Sequence, residues 1–141
     1  MYNTIIVALD CSDTSEKVIA ALKTLKIDSQ THIIFSHVLP EPTPDNDLDA
    51  DRPQASPEQL YQEAEQQLLT YQSAFADSEI EIVSGDVAEE IIRLANIYAA
   101  DLIILGTRGL TGLQRVIEGS VSGQVVAEAS CSVFVVKTPQ E

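Results

Sequence analysis

The sequence has no tryptophan and a single methionine, and positive charge is scarce: 8 lysines and arginines face 22 acidic residues, for a net charge of -14. Duplex nucleic acid is excluded as a partner by that balance, because such binding rests on neutralising phosphates with Lys and Arg. Anionic membrane surfaces are excluded on the same ground. What the charge supports is solubility. Cysteine is sparse too, with only Cys11 and Cys131. The absence of a Cys-x-x-Cys pair or a Cys/His cluster argues against zinc, and two lone thiols fit a reducing compartment. No apolar stretch reaches membrane-spanning length. Met1-Tyr2-Asn3-Thr4 opens the chain without the basic and apolar regions of a secretory signal. The expectation is a soluble, cytoplasmic protein with no membrane partner. His32 and His37 sit five apart on one short strand, hence on opposite faces, and cannot share a metal. No nucleophile–base–acid set and no catalytic pair of carboxylates is visible, so no catalytic residue is assigned.

What is present is apolar material in short runs. Hydrophobic residues make up 45% of the 141 positions, which suits one domain over 1–141 with a core that needs no disulfide or metal. Five runs stand out: Thr4 to Ala8, His32 to Val38, Ile80 to Val83, Leu102 to Leu105 and Val133 to Val136. Four are nearly continuous and rich in Ile and Val, as strands buried on both faces should be. The third starts Glu79-Ile80-Glu81-Ile82, an alternation that suits an edge strand.

Segments of helical period lie between the runs. Val18, Ala21, Leu22 and Leu25 fall on one face of a first helix, with Ser12 or Asp13 as its cap. Leu60, Ala64, Leu68, Tyr71 and Phe75 line a second, opened by Ser56-Pro57. Val87, Ile91, Ala95 and Tyr98 line a third behind Asp86-Val87-Ala88-Glu89. Val121, Val125 and Ala129 line a fourth that starts near Gly119-Ser120. Strict alternation of strand and helix predicts an α/β fold, a mostly parallel sheet covered on both faces. The segment from Pro40 to Pro57 is dense in proline and acid and reads as a solvated loop, either a disordered insertion or a lid.

Open parallel sheets bind ligands at the carboxyl ends of their strands. After the fourth strand comes GTRGLTGLQRVIEGS, from Gly106 to Ser120. Glycine lets a ligand approach the main chain, and the bare N–H groups of a following helix favour anions. Ser120 and Ser122 add hydroxyls, while Arg108 and Arg115 are the nearest cations and suit phosphate geometry. The stretch thus reads as a polyphosphate cradle, although glycines that only turn and a Ser120 that only caps would also fit. The P-loop and dinucleotide fingerprints are both absent. Asp10, after the first strand, could accept hydrogen bonds from a ribose, hold a metal through water, or cap the first helix. Val38 could pack on a base and read its edge through the main chain, or belong to the core.

These residues resemble the universal stress protein family, in its UspA-like, ATP-binding branch. The pattern Gly-x2-Gly-x9-Gly-Ser/Thr is met by Gly106, Gly109, Gly119 and Ser120. IIVALDCSDTSEKVI, HVLP, GDVAEEIIRLANIYAADLIILGTRG and GSVSGQVVAEASCSVFVVK are similar to the family's segments over nearly the whole chain. The resemblance implies an open five-stranded parallel sheet of order 3-2-1-4-5, adenine nucleotide α-hydrolase-like, with ATP (or ADP or AMP) between the ends of strands 1 and 4. It implies that Ala8 lines the adenine pocket, Asp10 reaches the ribose, Val38 meets the base through its main chain and Leu105 lies under the nucleoside. Gly106, Gly109, Gly119, Ser120, Val121 and Ser122 would surround the phosphates, with Mg²⁺. It further implies a homodimer through Val133, Phe134, Val135 and Val136, and a stress-linked sensor whose chemistry is at most slow ATP hydrolysis or self-phosphorylation. The competing expectation is an interaction module that holds AMP, a cyclic nucleotide or nothing, and signals through an unknown protein partner. Two departures stand out: Cys11 replaces a usual Gly, and Ser130 and Ser132 flank Cys131 where Pro is common. A nucleotidyl-transfer enzyme is disfavoured, because Leu9-Asp10-Cys11-Ser12 lacks the His-x-x-His element of the related synthetases.

Overall fold

The structure, a computed structural model, describes residues 2–9, 14–28, 30–39, 57–75, 77–107 and 121–137. Strands β1 (Thr4–Ala8), β2 (His32–Leu39), β3 (Ser78–Ser84), β4 (Leu102–Thr107) and β5 (Ser132–Lys137) alternate with helices α1 (Thr14–Lys23), α2 (Pro57–Gln72), α3 (Val87–Tyr98) and α4 (Val121–Glu128). All strand pairs are parallel, in the order β3-β2-β1-β4-β5. This is the α/β architecture and strand order expected. β1 lies at the centre, with Ala8 opposite Ser36 on one side and Leu105 on the other.

The two faces of the sheet bury separate cores, because successive side chains point to opposite sides. Ile5, Val7, Leu9, Ile33, Phe35, Leu102 and Ile104 meet Val18, Ile19 and Leu22 of α1 and Leu68 of α2. Ile6, Ile34, Val38, Ile103 and Leu105 meet Ala88, Ile91, Leu94 and Ala95 of α3 and Val125 of α4. Each fully buried branched side chain contributes about 1.5–3 kcal/mol of transfer free energy. Those two cores are what hold the carboxyl ends of the inner strands in a fixed array.

Local signals account for the helix starts that are described. Asp86 caps α3, its side chain accepting from the Glu89 N–H at 3.0 Å, and Pro57 is the first residue of α2. The caps expected at Ser12, Asp13 and Ser56 lie outside the described residues. Four expectations need correction. Leu60, placed on the buried line of α2, is 44% exposed, since α2 settles on the sheet only from Ala64 onward. Val121 is likewise exposed at the first turn of α4. Leu25, Phe75 and Ala129 pack inward but lie past the ends of their helices. β5 is only half-buried, because it is an edge like β3 and has one neighbour.

Candidate functional site

Sheet order decides where a site can be. The chain winds outward from β1 through β2 to β3, then returns to the other side of β1 with β4. The crevice at the carboxyl ends of β1 and β4 is therefore the switch point, where doubly wound sheets take ligands. Ala8 and Leu105 are register partners at that point. Ala8, Val38 and Leu105 belong to one packed cluster on the α3/α4 face, with Val38 and Leu105 buried. The structure brings these three expected site residues together. Gly106 follows Leu105 and is paired with Val136. A Cβ added to it would lie 3.1 Å from Val18 Cγ2, so α1 packs closely on β4 and a larger residue there would need Val18 to give by a few tenths of an ångström. Val121 and Ser122 form the start of α4, which reaches the same face through Val125. Asp10, Arg108, Gly109, Gly119 and Ser120 lie outside the described residues, as does Arg115.

The β1–β2 ladder ends in an unusual way. Even-numbered residues of β2 bond towards β1: His32 N–H donates to Asn3 O at 2.8 Å, and Leu9 N–H donates to Ser36 O at 2.9 Å. Odd-numbered residues bond towards β3, as Ile33 N–H does to Asp77 O and Leu39 O does with Gly85 N–H. The next rung would run from Val38 N–H to Leu9 O. In its place the His37 ring meets Leu9 O through Nδ1 at 2.8 Å. The sequence assigns His37 no catalytic role and no metal shared with His32. The one local signal of His37 is a polar ring near the carboxyl end of a mostly apolar strand.

The amino ends of the strands look different. The Asp101 carboxylate accepts from Asn3 N–H (2.9 Å) and Thr4 N–H (3.1 Å), while Asp101 N–H donates to Thr4 O. His32 lies between Asp77 (3.0 Å, Nδ1) and Glu79 (2.7 Å, Nε2). Partial burial lowers its pKa, but the hydrogen bonds and charges of those two carboxylates outweigh burial and raise it above 6.5. The Tyr98 hydroxyl donates to Glu81 in a short contact and reaches Glu79 at 3.3 Å. Burial first, then the Glu81 carboxylate, pushes its pKa well up. Burial, aided by the Asp101 charge, also raises the Cys131 thiol, so this cysteine is not primed as a nucleophile. Among the described residues no group of three or more His, Cys, Asp and Glu side chains could hold a metal, and no helix is long and apolar enough to cross a membrane.

An open parallel sheet with four covering helices, whose winding reverses between its first and fourth strands, defines a doubly wound α/β protein. The model of the Universal stress protein family matches residues 1–137. The chain belongs to that family. It is similar over 97% of its length, and over all of the relative's, to the "Universal stress protein in QAH/OAS sulfhydrylase 3′region" of Thermus aquaticus, at 33% identity. Universal stress protein MJ0531 of Methanocaldococcus jannaschii is 46% identical over 61 residues, 43% of this chain, and stress response protein NhaX of Bacillus subtilis is 44% identical over 62. Those two matches span only 36% and 37% of the relatives' own lengths. Among solved structures, hypothetical protein MJ0577 superposes with a TM-score of 0.76 at 25% identity, covering 100% of this chain and 99% of that one. A universal stress protein in complex with cAMP (TM-score 0.69, 22% identity, 96% of both chains) shares the fold. So does the Arabidopsis thaliana family protein At3g01520 with AMP bound (TM-score 0.65, 20% identity, 97% and 92%).

Proposed function

We propose that this chain binds an adenine nucleotide, in the first instance ATP, in the crevice between β1 and β4, and acts as a homodimeric regulator of a stress response in the cytoplasm. The observation that carries the reading is the coincidence of two features. The strand order puts the switch point beside Ala8 and Leu105, and the Gly106-x2-Gly109-x9-Gly119-Ser120 spacing begins one residue later. The main chain of Val38 fits a base, since its N–H and C=O face the β1 side, where no other described residue bonds to them. Bare amides at the start of α4, with Ser120, Ser122 and Arg108, would take the phosphates. Asp10 would take the ribose. Mg²⁺ would arrive on the triphosphate, because it is held largely by phosphate oxygens with few protein ligands. β5 offers the apolar edge Val133 to Val136 for a second copy.

A titration of fluorescently labelled ATP tests this, with Gly119→Asp as the control. Binding by the parent chain and at least tenfold loss in the variant is expected, since a carboxylate in an anion cradle adds repulsion of roughly 1–4 kcal/mol at close range. Unchanged affinity in Gly119→Asp would remove the phosphate site. A second reading, an interaction module holding AMP or a cyclic nucleotide, is supported by the family structures in complex with cAMP and AMP. Extraction of freshly purified protein separates the two: ATP in the extract supports the first reading, AMP or cAMP the second.

A further inference from the structure

We propose that His37 is a positioning residue for base recognition: its ring holds the Leu9 carbonyl in place of the Val38 amide, and so keeps the Val38 N–H and C=O open to the edge of adenine. The inference rests on the nucleotide reading above and deepens it. A carbonyl oxygen only accepts, so the contact of 2.8 Å between Nδ1 and Leu9 O fixes the proton on Nδ1. The regular ladder would have spent the Val38 N–H on that same oxygen, as the alternation of even residues towards β1 shows. Substituting a side-chain donor for the main-chain one ends the β1–β2 pairing at Ala8 and Ser36. It does so without leaving Leu9 O bare, which would be costly for a residue only 4% exposed.

The consequence is chemical selectivity. Val38 sits opposite Val83 on the β3 side, with its side chain buried, so only its main chain is available towards β1. One N–H and one C=O side by side complement the N1 acceptor and N6 amino donor of adenine. Guanine offers the reverse, an N1–H donor and an O6 acceptor, and leaves polar groups unpaired when its sugar is anchored the same way. His37 thus acts on the base through Leu9 and Val38 without touching it, and it has no part in holding phosphate.

The test compares ATP, GTP and inorganic triphosphate binding to the parent chain, His37→Leu and His37→Asn. Leu keeps bulk but has no donor, whereas the Asn amide places an N–H near the position of Nδ1. The expected result is about tenfold weaker ATP binding in His37→Leu, the size of one well-placed hydrogen bond. The ATP-over-GTP preference narrows by the same factor, triphosphate binding is unchanged, and Asn restores most of the loss. Long-range ¹⁵N–¹H NMR of the parent protein should show the His37 ring protonated on Nδ1, and addition of ATP should shift the Val38 amide resonance. A ring protonated on Nε2 alone overturns the inference even if His37→Leu fails to fold. So does ATP selectivity that survives in His37→Leu. Absence of any nucleotide binding by the parent chain would overturn the site reading and this inference together, whereas the other two outcomes strike the inference alone.

Discussion

At the amino ends of the strands, side chains close off the main chain; at the carboxyl ends, a side chain holds the main chain open. Asp101 takes both N–H groups at the start of β1, and His32, Asp77, Glu79, Tyr98 and Glu81 form a connected polar cluster beside it. His37, at the other end, occupies Leu9 O and leaves the Val38 N–H and C=O without a described partner on the β1 side. The difference teaches that one sheet can divide its labour by direction. One end is finished for stability, and the other leaves the Val38 N–H and C=O without a partner among the described residues, free for the ligand proposed above.

Substitutions at the amino end should therefore cost stability without touching nucleotide affinity. The largest effect is expected for Asp101→Ala, which hands two exposed N–H groups to water and should cost about 2 kcal/mol in urea unfolding, roughly 1 kcal/mol for each hydrogen bond. The same variant should make Cys131 easier to ionise, read as faster alkylation near neutral pH, because the Asp101 charge helps raise that thiol. A drop in ATP affinity comparable to that of His37→Leu would erase the contrast between the ends. Next comes Gly106→Ala, which should cost about 1–2 kcal/mol through crowding against Val18. Making the change in a Val18→Ala background should recover most of that cost, and a double-mutant cycle measures the coupling. Near-zero coupling would free Gly106 from its packing role and leave only a ligand to explain it.

The smallest effect is expected for His32→Ala. The raised pKa means that the folded protein holds this proton more tightly than the unfolded chain. Its contribution is fully present below pH 6.5 and disappears as pH rises through the raised folded-state value. His32 is part-exposed, as are its carboxylate partners, so the loss should be no more than about 1 kcal/mol near pH 6. It should vanish at alkaline pH in parallel urea titrations of the two proteins. A cost that grew with pH would mean that the imidazolium is not what the cluster holds.

Most of the architecture is legible from local pattern. Runs of Ile and Val mark the strands buried from both sides, and the Glu79-Ile80-Glu81-Ile82 alternation marks β3 as an edge. Helix faces are read less well. Ile19 and Leu94 are buried beside the expected stripes because a core-facing stripe is wider than one row of i, i+4 positions. Leu60 fails in the other direction, since periodicity does not say how much of a helix overlies the sheet. The grouping of Ala8, Val38 and Leu105 follows once the strand order is known, and that order came from the family likeness. The His37 clamp was not legible, because it depends on where two strands stop pairing. Asp101 was equally silent: an acidic residue just ahead of an apolar run carries no local mark of the two amides it serves.

The central position of β1 has a consequence for how the chain acquires its shape. Its partner on one side, β4, is made only after β2, β3 and three helices. A nascent chain that ends short of Leu102 therefore carries its most apolar strand with one flank bare. Non-local pairings of this kind make folding slow and expose sticky intermediates. On the ribosome, the sheet must wait for nearly all of its strands before its middle can seal.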